Sequence, residues 1–172
     1  MAMSNPELLE REIVQAVRSL PDRSAREGWG SDRRWTVELV AALGELGRQQ
    51  KFDVCASGWS LRDGHCWGEW LYDLSWLEMK DGHVIDVPMI LESEWNLKRD
   101  EIEADFGKLL LGRADRRVMV FQQPNAAKVD EIVSYLKECI AKFKRTAIGD
   151  RYMFLGYDIA TKSFRDELFV VP

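Results

Sequence analysis

The chain has 172 residues, 46% of them apolar and 31% charged, with a formal net charge of −5, which is the size and balance of one globular domain with its own core. This acidity excludes a protein that coats nucleic acid through diffuse positive charge, because such binding needs Lys and Arg to displace counterions and would have to gather them locally here. No apolar run is long enough to cross a bilayer, and Met1 to Pro6 leads into a charged pattern without a signal peptide's apolar region, so a cytoplasmic protein with no membrane partner is expected.

Asn5, Pro6 and Glu7 have the chemistry of a helix start, and Leu8, Leu9, Ile13, Val14, Val17 and Leu20 recur at helical spacing up to Pro21. Residues 21–31 are rich in turn formers and predict a loop. A second helix runs from Ser31 or Asp32 to about Gln50 on a stripe of Leu39, Val40, Leu43 and Leu46, with Glu38 near its edge. Residues 52–56 predict a short strand and residues 58–68 a loop. Cys55, Cys66 and Cys139 are odd in number and lack CxxC spacing, so neither a disulfide framework nor a zinc finger is indicated. His65, Cys66 and His83 have no spacing that would impose tetrahedral closure on a metal. The seven Trp point mainly to core packing.

Residues 69–95 are two aromatic and aliphatic runs around Asp81-Gly82, a strong hairpin signal because that turn needs backbone angles both residues tolerate. A two-residue loop sets Lys80 against His83 and Asp73 against Ile90, one diagonal step from Glu92. Alternation puts Ile90, Glu92 and Glu94 on one face, and Asp73 joins them from the neighbouring strand. Pro88 lies within the second strand and cannot donate to a ladder, so either the strand is bulged there or its N–H side faces no partner. A slip of one residue would move Glu92 and Glu94 to the face opposite Asp73.

The remaining elements are a helix over about Arg99 to Gly112, a buried strand over Arg117–Gln122, a helix over Ala126 to Phe143, and strands over Tyr152–Tyr157 and Glu167–Val171. Strand, helix, strand implies a crossover and a parallel pair. On the 99–112 helix, Ile102, Phe106, Leu109 and Leu110 make the apolar face; the helical wheel puts Asp105 at its border and Lys108 well away. The expected fold is a single α/β domain with helices on both faces of a mixed sheet. Residues 1–30 hold its first helix and loop, about 34–122 its core, and 126–172 its last helix and strands.

Acids in an apolar setting raise one another's pKa unless something compensates. Same-face carboxylates on a strand, roughly 6.5 to 7 Å apart, can share a cation, and hard oxygen ligands suit Mg2+ or Mn2+, with water and phosphate filling the other positions. The plain alternative is that Asp73 and Glu92 sit at strand ends, solvated or paired with Arg or Lys.

Asp73, followed by Glu92-Ser93-Glu94 at the end of an apolar strand and then a helix, resembles the signature of the PD-(D/E)XK nuclease superfamily, the restriction-endonuclease-like fold. The resemblance covers roughly residues 34 to 122. It implies that Asp73 and Glu92 are the family's metal-binding acids and that Glu94 stands where Lys is usual, a replacement some restriction enzymes carry while remaining active. It further implies Glu38 as an additional metal ligand, the alternative for that residue being a surface glutamate, and Lys98 or Lys108 as the missing lysine moved to the following helix. The implied function is Mg2+- or Mn2+-dependent hydrolysis of DNA or RNA phosphodiester bonds, as an endo- or exonuclease, with a homodimer compatible. The alternative is a nuclease-like fold without catalysis, acting as a binding or regulatory module. Nothing in the sequence would read bases.

Overall fold

The computed structural model describes residues 6–56 and 70–172. Its elements in chain order are α1 (Pro6–Arg18), α2 (Leu20–Glu27), α3 (Asp32–Gln49), β1 (Asp53–Ala56), β2 (Leu74–Lys80), β3 (His83–Glu94), α4 (Arg99–Leu111), β4 (Arg117–Gln123), α5 (Ala126–Lys142), β5 (Arg151–Asp158) and β6 (Ser163–Val170). The strands form one mixed six-stranded sheet in sequence order. β1, β2 and β3 are antiparallel neighbours, β3, β4 and β5 run parallel, and β6 returns antiparallel along β5. Each parallel join needs a crossover, supplied by α4 and α5.

The two faces of the sheet carry separate cores. Leu9, Ile13 and Val17 of α1 and Leu39, Val40 and Leu43 of α3 pack with Leu74, Trp76, Met89 and Leu91 on one side. Ile102, Phe106 and Leu109 of α4 and Val129, Val133 and Leu136 of α5 pack with Ile90, Met119 and Phe121 on the other. Neighbours 89, 90 and 91 thus alternate between layers, as a pleated strand requires. The expected single α/β domain with helices on both sheet faces is found.

The first helix departs from expectation. It ends at Arg18, and the stretch predicted as a loop contains α2, with Pro21 in that helix's first turn. Proline there loses no hydrogen bond, since the first N–H groups of a helix have no internal partner. Gly28, at φ 67°, closes α2 through its N–H to the Ser24 carbonyl. Ser31 and Asn125 cap α3 and α5, each side chain accepting the N–H three residues on. The Asn5 cap and the 58–68 loop, with His65 and Cys66, lie outside the described residues.

Trp76 is fully buried, its indole Nε1 donating to the Leu43 carbonyl at 3.1 Å. Trp29 and Trp35 meet edge to face, and Trp35 contacts Trp95 and Tyr157. Those four tryptophans pack against the α1/α3 core. Trp70 is the exposed one among the described residues. Cys55 is buried and Cys139 half-buried. Among the described residues no helix is long and apolar enough to cross a membrane.

Candidate functional site

The hairpin turn has the conformation its sequence demands, Asp81 at φ 51° and Gly82 at φ 78°, and Lys80 faces His83. From there the ladder slips twice. Met79 pairs with Val84, Glu78 with Asp86, and Trp76 with Met89. Pro88 falls within this irregular stretch, where its carbonyl takes a hydrogen bond from Arg116 and the neighbouring Val87 carbonyl takes the Asp115 N–H. Ser75, not Asp73, therefore opposes Ile90, and Leu74 opposes Leu91. One slip would have turned Glu92 away from Asp73; two restore the faces and carry Asp73 level with Glu92.

Asp73 sits just before β2, and its Oδ2 accepts both the N–H of Ser93 at 2.8 Å and the Ser93 hydroxyl at 2.7 Å. Glu92, in the same layer as α4, is 2% exposed. One of its oxygens, Oε2, lies 3.2 Å from Lys108 Nζ, while Oε1 is buried with no hydrogen-bond partner. Lys108 also meets Asp105 Oδ1 at 2.8 Å. Glu94 accepts the N–H of Asn96 at 2.6 Å and lies close enough to Asp105 to feel its charge.

The electrostatics follow from several carboxyl groups gathered around one ammonium, which contacts Glu92 and Asp105. Burial, then the charge of Asp73, pushes the Glu92 pKa up to about 8 against the pull of Lys108. Burial raises Asp73 as well, opposed by its two bonds from Ser93. Glu94 is raised by burial and by Asp105. Burial works to lower Lys108, but its bonds to Asp105 and Glu92 outweigh it and the ammonium is held firmly protonated. Tyr72, half-buried beside this group, has its hydroxyl raised by burial and then by Glu92.

Asp73, Glu92, Glu94 and Lys108 are thus brought into one neighbourhood. Glu38 is not among them. It lies in α3, within the other helical layer, buried and held at 2.6 Å by both Arg23 and Arg34, so its charge is already matched and it is neither a ligand beside Asp73 nor a surface glutamate. Lys98 is exposed at the start of α4. Lys108 reaches Glu92 although its helical position points away from the apolar face, because a lysine stem can carry its charge round the helix edge. Asp105 and Ser93 complete the group without having been singled out as site residues. Asp105 is visible in sequence as an acid three residues before Lys108, the spacing of a helical ion pair.

Among the described residues no three His, Cys, Asp or Glu side chains are grouped to hold a metal ion. The acids pair instead: Asp73 beside Glu92, Glu94 beside Asp105. A cation here would take few side-chain ligands and keep water or phosphate oxygens in its other positions, which Mg2+ accepts readily. The all-oxygen donors and the orphan Glu92 Oε1 fit such an ion. No protein-family model, curated protein or solved structure matches this chain.

Proposed function

We propose that this chain is a metal-dependent phosphodiesterase acting on DNA or RNA, built on a restriction-endonuclease-like core. The observation that carries the proposal is Glu92: a buried carboxylate with an unpartnered oxygen, level with Asp73 on the next strand and touched by Lys108 from the following helix. A purely structural glutamate would be expected to have both oxygens satisfied. The order of β2, β3, α4 and β4, with β4 parallel to β3, supports the same reading.

Asp73 and Glu92 would hold Mg2+ or Mn2+. When bound, the ion would polarise a phosphate oxygen and lower the pKa of an attacking water. Ser93 fixes the Asp73 carboxylate by binding a single oxygen twice. Lys108, half exposed, presents a positive charge at the mouth of the site, where an anionic phosphate would arrive. Lys98 and Arg113, both exposed, supply further charge for a nucleic-acid backbone.

Calorimetry with Mg2+ and Mn2+ on the native chain and on Asp73→Ala tests the first step, with binding expected only in the native chain. Cleavage of single- and double-stranded DNA and RNA, with each metal, tests the second. A native chain with no more affinity than Asp73→Ala would end the enzyme reading. Metal binding without cleavage of any substrate would leave a binding or regulatory module.

A further inference from the structure

We infer that Asp105 is the positioning residue of this site: it carries the Lys108 ammonium to Glu92 and keeps it there when Glu92 is engaged by a cation. The inference rests on the nuclease reading for its catalytic consequence but not for its geometry. Lys108 is half exposed, and an unrestrained lysine stem samples many rotamers. Its shorter contact is to Asp105, at 2.8 Å, and its longer one to Glu92, at 3.2 Å. Asp105 lies one helical turn before Lys108 on α4, so the helix itself fixes their separation. Glu94, on the strand side, is held by the N–H of Asn96 and not by Lys108.

An exposed ion pair at this spacing does little on its own. Here the far end of the lysine rests on a carboxylate that is 2% exposed, so the pair is anchored at a buried point.

Side-chain ammonium NMR and steady-state cleavage test the inference together. One lysine ammonium signal, identified by its loss in Lys108→Met, should be protected in the native chain and should survive saturating Mg2+. It should vanish in Asp105→Asn and return in Asp105→Glu. In Mn2+-supported cleavage of an oligonucleotide, Asp105→Asn should lower kcat by roughly 10- to 100-fold, the scale of a misplaced catalytic group, with KM and Mn2+ affinity little changed. The same substitution should add nothing in a Lys108→Met background. A signal that persists in Asp105→Asn, or additive losses in the double variant, would overturn the inference. So would a loss of Mn2+ affinity as large as that of Asp73→Ala, which would make Asp105 a ligand. If the native chain neither binds metal nor cleaves, the nuclease reading falls, while the ammonium signal still decides whether Asp105 holds Lys108.

Discussion

Glu92 carries an electrostatic cost that depends on pH. Its folded pKa, pushed up to about 8 by burial and Asp73, lies above the ordinary 4.5. A carboxyl raised on folding favours the folded state fully only below its unfolded value, and that advantage is lost as pH rises through the folded pKa. Stability is therefore expected to fall between about pH 4.5 and pH 8 through this group. Glu92→Gln keeps the shape and cannot ionise. It should melt close to the native chain at pH 4.5 and above it at pH 9, by an amount on the order of 2 kcal/mol, or about 4–8 °C for a domain of this size. Thermal melts across that range check the sign, and an offset that does not change with pH would show that Glu92 does not titrate there. Added Mg2+ should reverse the alkaline loss in the native chain and leave Glu92→Gln unmoved, because the ion favours the charged carboxylate.

Two glycines in helices of opposite layers face different surroundings, and the same substitution should move stability in opposite directions. A Cβ on Gly47 of α3 would lie 2.4 Å from Trp76 Nε1, and that indole cannot yield easily because it is bonded to Leu43 and stacked on Phe52. A Cβ on Gly107 of α4 would meet nothing within 4 Å. Gly47→Ala should cost about 1–3 kcal/mol through overpacking, offset by up to ~1 kcal/mol of helix propensity, whereas Gly107→Ala should gain about that ~1 kcal/mol. Thermal melts of the two variants should move apart, and a common direction would refute the packing argument. At this scale the sequence is informative only where one residue carries the signal. Asp81-Gly82 marked the hairpin because its backbone angles are particular to such residues, and the apolar stripes of α3, α4 and α5 gave the helices. The double slip around Pro88 left no such mark: alternation reports which face a residue takes, and two slips leave the faces unchanged while moving every partner by two. The wheel sets Lys108 away from the apolar face of α4 because it tracks Cβ directions, not the end of a long side chain. Residues 21–31 predict a loop where α2 forms because Pro21 and Gly28, in the first turn and at the end of that helix, also occur in turns.

On the α1 side of the sheet, a buried charged clamp joins helix to strands. Glu10 is 4% exposed and accepts a two-pronged bond from Arg151 of β5, at 2.6 and 2.7 Å. Its Oε1 also lies 3.5 Å from Nε of Arg116, the residue before β4, whose other end donates to the Pro88 carbonyl at the bulge. One glutamate thus links the first helix to the strand irregularity that brings Asp73 level with Glu92. Arg116 is itself 6% exposed, and burial already lowers its pKa against the pull of Glu10 and Asp115. Removing Glu10 would leave that guanidinium buried without its main counter-ion, a change that costs about 3–5 kcal/mol where it has been measured in other proteins. Glu10→Ala should therefore lower the melting temperature by roughly 6–20 °C at the 2–4 °C per kcal/mol expected for this size. Arg18→Ala provides the contrast, since Arg18 pairs with Asp166 while 55% exposed, and such surface pairs contribute about 0–1 kcal/mol. If Glu10→Ala melts no lower than Arg18→Ala, the clamp is not what holds α1. A second outcome follows from the link to Pro88. Should the bulge depend on Arg116, Glu10→Ala will also weaken Mg2+ binding while still folded, whereas Arg18→Ala will not.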